Sequence, residues 1–180
     1  MLQEDQIIYQ KIGKLLWSIM PLEAKEIIYL AQLYENVTQA GAHWIDKEGK
    51  ERSFYDGFEN PIQEIEYKIR ESLETLQKLP LFQQDSWTQC QVTLNEQGKF
   101  KIKFAYIPEE DSWPNMFMKG VSDLTEAELG EPNYVPKEIW EERVRLKNQL
   151  QALVHLLQQP WFQLPMAVPV LQMLQLPEIT

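Results

Sequence analysis

Two histidines, one cysteine and an uneven scatter of carboxylates are the side chains of this sequence best suited to chemistry. A metal site would need histidines, cysteines or carboxylates at ligand spacing, such as two histidines one helical turn apart. His43 and His155 show no such spacing: the first falls in a strand-like run beside Trp44, the second inside a helical one. Nucleophilic catalysis would need a thiol or hydroxyl beside a base. Cys90 instead stands on the apolar side of an alternating run, where a free cysteine behaves as a small hydrophobe; spacing leaves a pairing of Cys90 with a histidine open, but nothing in the pattern supports one. GxSxG, GxGxxG and P-loop strings are missing. Glu109, Glu110 and Asp111 are consecutive carboxylates without an EF-hand pattern, expected to stay hydrated rather than to hold a cation. The sequence therefore predicts no catalytic residue, no metal and no cofactor.

The carboxylates carry a different signal. The formal charge is −10, from 27 acidic and 17 basic side chains. Residues 109–142 hold ten carboxylates against Lys119 and Lys137, so −8 of the total lies in one segment. Nucleic-acid binders need a basic footprint, so a nucleic-acid partner is not expected. An acidic run is either a solvated face or a docking surface that steers a basic partner. Trp113 and Phe117 lie within it, and aromatics amid charges are frequent interface anchors.

The positioning elements follow from periodicity. Ile8, Ile12, Leu15, Leu16 and Ile19 recur at helical steps up to a stop before Pro21. Residues 27–31 and 37–45 read as strands, the second with Ala40, Ala42 and Trp44 on one face; a turn at 47–50 leads to a third strand expected at 53–58. Asn60 and Pro61 are expected to open a second helix, Asn60 as cap and Gln63 closing a capping box, with Ile62, Ile65, Ile69, Leu73 and Leu76 facing the core. From Trp87 to Ile107 the chain alternates on both sides of Asn95–Gly98, a hairpin whose second strand has an apolar face and a mostly basic one, so one side of the sheet is expected to be wet. Residues 109–135 read as a long loop with short helical pieces, and Pro136 opens a third helix with the stripe Leu146, Leu150, Leu153 and Leu157. For most of the six tryptophans, Trp17 among them, core packing is expected. The fold class predicted is α+β: an antiparallel sheet, three-stranded meander plus hairpin, with helices packed on one face, a C-terminal helix and an apolar tail. Residues 1–159 are expected to form one domain. Residues 160–180, with four prolines among large apolar side chains, are expected to pack on it or on a partner.

One cysteine permits no intrachain disulfide, which suits a reducing cytoplasm. The N-terminus shows no signal-peptide pattern, and no stretch reaches the roughly 18 apolar residues of a membrane span. A cytoplasmic location without membrane contact is expected.

Two strings resemble the YezG/EsaG-type immunity protein family. Residues 8–12, running through Ser18-Ile19-Met20-Pro21 to Ile28-Tyr29-Leu30, look like that family's opening helix, stop and first strand. Trp87-Thr88-Gln89-Cys90, with Gly98-Lys99-Phe100 and Phe104-Ala105-Tyr106, looks like its Trp-Thr hairpin. The resemblance covers about residues 5–110. It implies a small α+β, non-enzymatic cytoplasmic antitoxin that binds and silences the toxic domain of a secreted effector, often a nuclease; the family is spread among polymorphic toxins. Beyond residue 110 the acidic loop, third helix and tail match nothing in that pattern. The acidic run and the resemblance agree in sign, because a nuclease holds phosphates on a basic surface. The expected docking residues are Glu109, Glu110, Asp111, Trp113, Phe117, Asp123, Glu126, Glu128 and Glu131, with the aromatics as apolar anchors. A distal mode, in which the sheet or tail distorts the toxin, stays open. The alternative function is a non-catalytic assembly protein, a homo-oligomer through residues 160–180.

Overall fold

In the computed structural model, which describes residues 3–55, 59–83 and 86–157, alternation along the chain becomes one antiparallel sheet. Its strands are β1 (Ala24–Leu33), β2 (Thr38–Asp46), β3 (Glu51–Ser53), β4 (Gln89–Asn95) and β5 (Phe100–Ala105), in the order β3-β2-β1-β4-β5. Residues two apart share a face, and the register lines up like with like. Ile27 lies opposite Trp44 and Leu94, Tyr29 opposite Ala42 and Val92, and Ala31 opposite Ala40 and Cys90. On that face sit α1 (Glu4–Ser18) and α2 (Gln63–Gln77). Ile8, Ile12 and Leu16 from α1 and Ile69, Leu73 and Leu76 from α2 join the strand residues in one buried cluster.

Polar side chains tie α2 down. The Glu66 carboxylate accepts from the Ala42 backbone N–H at 2.8 Å and from Asn60 Nδ2 at 2.6 Å, and the Tyr29 hydroxyl donates to the Glu66 carbonyl at 2.9 Å. Beside it, a Cβ on Gly41 would meet Glu66 Oε1 at 3.7 Å, an ordinary contact. At the far end Phe82, Trp87 and Phe104 pack ring on ring, with centroids 4.8–6.0 Å apart.

The structure moves three expectations. The third strand lies at Glu51–Ser53, not 53–58, because the Asp46 carboxylate accepts from the Glu48 and Lys50 N–H groups and closes the turn early; residues 56–58 lie outside the described set. Asn60 does not cap α2 directly: its Oδ1 accepts from the Ile62 N–H at 3.1 Å, a local turn one step ahead of the helix, and Gln63 is the first helical residue. Trp17 is 52% exposed, since Leu16 takes the core position beside it. The stripe on α3 (Lys137–Leu157) is also exposed at Leu146, Leu150 and Leu153. The tail, residues 160–180, lies outside the described residues.

Candidate functional site

The second face of the sheet carries exposed Lys101 and Lys103 on β5, as the alternation predicts. At its other end the face is covered by the acidic segment. Gln32 on β1 and Gln89 on β4 point there. Gln32 Nε2 donates to the Met116 carbonyl at 2.5 Å, and the Met118 N–H donates to Gln89 Oε1 at 2.6 Å. Gln89 is fully buried, and its amide also donates to the Tyr34 hydroxyl at 2.8 Å.

Residues 109–135 are thus an ordered unit with a core of their own. Met116, Val121, Leu124, Leu129 and Val135 are buried together, with Trp113, Ile139 and Trp140 packed against them. Three 3-10 turns, Glu109–Asp111, Val121–Asp123 and Glu126–Glu128, space these residues, and two non-glycine positions, Asn115 and Met118, take positive φ (62° and 63°) to turn the chain between them. Indole N–H groups close the unit: Trp113 donates to the Asn133 carbonyl at 3.0 Å and Trp140 to the Leu124 carbonyl at 2.9 Å.

The carboxylates divide into two sets. Asp111, Asp123, Glu126 and Glu128 are committed to the unit. Asp111 accepts from the Ser122 N–H at 2.9 Å and the Ser122 hydroxyl at 2.6 Å. Asp123 accepts from the Gly120 N–H at 3.1 Å and pairs with Lys147 on α3. Burial pushes the Asp123 carboxyl up, but Lys147 and that N–H outweigh it and leave it below the usual range. Glu128 accepts from the Thr125 N–H at 2.7 Å and pairs with Lys119 at 2.9 Å; the N–H first, then Lys119 and the Thr125 hydroxyl, hold its carboxyl down to about 2. Glu126 pairs with Lys137 at 2.5 Å, and the hydrogen bond raises the lysine above its ordinary value. Among the described residues, Glu109, Glu110 and Glu131 are exposed and make no ion pair or hydrogen bond through their side chains; Glu138 and Glu142 at the start of α3 share that condition. The Trp113–Asn133 bond ties the segment that follows Glu109 and Glu110 to the one that follows Glu131.

Trp113 and Phe117 are half-buried in the chain itself. Trp113 packs on the second core, while Phe117 lines a shallow recess with Leu30, Gly41, His43 and Tyr55. Only the remainder of each ring is left for a partner. Sequence reasoning missed this internal commitment, although Thr125-x-x-Glu128 is a capping-box string that marks a folded turn.

Elsewhere Cys90 and His43 lie on opposite faces of the sheet. Cys90 is buried among the core strands, where desolvation pushes its thiol up to about 12, so no thiolate forms near neutrality. His43 is on the opposite face of the sheet, with Nε2 3.9 Å from the Glu51 carboxylate. Among the described residues no three histidine, cysteine or carboxylate side chains are grouped to hold a metal ion, and no helix is long and apolar enough to cross a membrane. An apolar groove of about 460 Å³ runs between α1 and the β4–β5 hairpin, lined by Tyr9, Gly13, Trp17, Leu94 and Phe100.

Compared with known families, residues 6–120 match the one described as Immunity protein YezG-like. The match spans α1 from residue 6, all of α2, all five strands and the first part of the acidic unit, ten residues beyond the resemblance read from the two strings. No curated protein matches the chain.

Proposed function

The chain belongs to the YezG-like immunity protein family, and from that premise we propose that it works in the cytoplasm by binding, not catalysis, and silences the toxic domain of a cognate secreted effector. The toxin class that suits it best is a nuclease, held against the acidic unit at 109–131. A nuclease keeps a basic surface for phosphates, and carboxylates can stand where phosphates would lie.

The observation that carries this reading is that the acidic unit is folded before any partner arrives. Its own core and its clasp on Gln32 and Gln89 fix the backbone, so little ordering cost is left for binding. Glu109, Glu110 and Glu131 offer unpaired charge at once. Asp123, Glu126 and Glu128 sit in ion pairs whose carboxylates are 40–63% exposed. Exposed pairs contribute little, so a partner's arginine or lysine displaces the internal lysine at small cost. Trp113 and Phe117 back the surface and lend it their exposed edges.

The test is a titration of the cognate toxic domain, with association measured across ionic strength. Glu109→Lys, Glu110→Lys and Glu131→Lys together should slow association at least tenfold at low salt and flatten its salt dependence. Unchanged rate and salt slope would refute the acidic docking mode. One observation favours a distal mode, the groove with exposed Trp17; Trp17→Ser would then weaken the complex while the triple reversal would not.

A further inference from the structure

The strand order leaves two edges, β3 and β5. The β3 edge is three residues long, and its Arg52 is held by Asp46 at 2.9 Å. So short an edge offers little to pair with. The β5 edge is six residues long, Phe100–Ala105. Its ladder fixes which backbone groups point outward. The Asn95 N–H donates to the Lys99 carbonyl at 3.2 Å, and the pairs Thr93–Lys101 and Gln91–Lys103 follow at steps of two. Those residues turn their N–H and C=O groups toward β4. Phe100, Ile102 and Phe104, which alternate with them, turn theirs away. Among the described residues no backbone group of another segment bonds to these three.

The two faces beside this edge differ. On one, Lys99, Lys101 and Lys103 are exposed and make no ion pair among the described residues, in a chain whose net charge is −10. On the other, Phe100, Ile102 and Phe104 are half-buried against the core. Phe100 also lines the apolar groove beside α1, together with Tyr9 and Trp17, so the groove and the edge are continuous.

We propose that the β5 edge takes up an extended, acidic segment of a partner protein as an added strand. Outward N–H and C=O groups at two-residue steps are matched by the backbone of another strand. The charge selects which strand. Carboxylates at alternate positions lie beside the lysines, an opposite-charge pairing across neighbouring strands. Apolar side chains at the positions between them continue the face of Phe100, Ile102 and Phe104 and reach the groove at Trp17. A second copy of the chain fits worse: β5 paired antiparallel with β5 in one continuous sheet sets lysine beside lysine, and like charges so placed repel. The inference stands apart from the docking surface proposed above, because the segment taken here is acidic and the one taken there is basic.

The experiment is a backbone-amide NMR titration of the full chain, without toxin, using a capped synthetic peptide that alternates glutamate and valine and is long enough to span β5. In the free chain the amides of Phe100, Ile102 and Phe104 should exchange freely with solvent. With the peptide in excess they should shift and gain protection. Lys101→Glu with Lys103→Glu should weaken binding by about tenfold or more at low salt, with the free variant's spectrum showing the fold intact. Lys47→Glu with Lys50→Glu, the same charge change in the β2–β3 turn, should bind like the parent chain, and a peptide alternating lysine and valine should not bind. Amides already protected in the free chain overturn the proposal, because the chain then covers its own edge. So do three amides that stay unshifted in a large excess of the glutamate peptide, and so does equal binding by the lysine peptide or by the Lys101–Lys103 double variant. With no toxin present, failure here leaves the immunity reading standing, and failure of toxin binding leaves the added strand standing.

Discussion

Replacing Gln89 by leucine should release the acidic unit from the sheet while the sheet itself stays folded. Gln89 is fully buried, and each end of its amide has one partner: the Met118 N–H at 2.6 Å and the Tyr34 hydroxyl at 2.8 Å. Leucine fills much of the same volume and satisfies neither. Leaving the partly buried Met118 N–H unpaired costs about 1–3 kcal/mol, and losing the bond to the partly exposed tyrosine about 1 kcal/mol. The docked state should lose about 2–4 kcal/mol, roughly 30- to 900-fold in the docking equilibrium. That is less than the stability of an ordinary domain, and among the described residues Gln89's amide makes no other hydrogen bond. Native-state hydrogen exchange reads the effect directly. The Met118 amide, with those of Asp123 and Leu124 in the unit, should lose protection while amides of β1 and β4 keep theirs. Gln32→Leu should act in the same direction. The double variant should cost less than the two singles added, since releasing the unit once removes both bonds. Unchanged exchange at Met118 in Gln89→Leu would refute the clasp.

Gly120→Ala should destabilise the same unit by about 1–3 kcal/mol, because an added Cβ falls inside the Asp111 carboxylate; urea melts of Gly120→Ala and of Gly120→Ala with Asp111→Ala read it, the second change restoring part of the loss. Glu128 has a folded-state carboxyl near 2 against an ordinary 4.5, so its contribution is complete above the ordinary value and fades as pH falls from there toward 2. Indole NMR signals of Trp113 and Trp140 should shift over that window, and Glu128→Gln should show less of the shift. Leu73→Ala, fully buried at the centre of α2, should cost about 2–5 kcal/mol by urea unfolding, whereas Trp17→Ser should change stability by no more than about 0.5 kcal/mol.

Periodicity exposed the part of the fold in which one period governs a long run. Ile8, Ile12 and Leu16 at helical steps, and Phe100, Ile102 and Phe104 at steps of two, place themselves because every second or fourth residue shares one core. The acidic unit has no such period. Its buried residues stand at 116, 121, 124, 129 and 135, spaced by 3-10 turns and positive-φ residues, so a small core reads as a loop. The sheet contact was equally hidden, because Gln32 and Gln89 are polar residues on the face expected to be wet, and only their neighbours in space explain their burial. Trp17 misled for the opposite reason: an aromatic residue adjacent to a helical stripe is not on it, and Leu16 already fills the core position. The acidic run was legible as charge, but which carboxylates remain unpaired depends on lysines at 119, 137 and 147, and the pairing with Lys147 links positions 24 residues apart.

That pairing fixes how salt should act. The unit is held by two kinds of contact, a buried apolar cluster with amide hydrogen bonds and a set of half-exposed ion pairs. Salt screens the second and leaves the first in place. If the acidic unit is the docking surface proposed above, raising ionic strength should slow association without unfolding the unit: stability to urea should fall by less than about 1 kcal/mol, while the association rate falls steeply. If instead the unit unfolded at the same ionic strength that abolished binding, the lysine pairs rather than the small core would be what holds it. The unpaired carboxylates would then lose their fixed backbone, and the preorganised docking surface proposed above would fall with it.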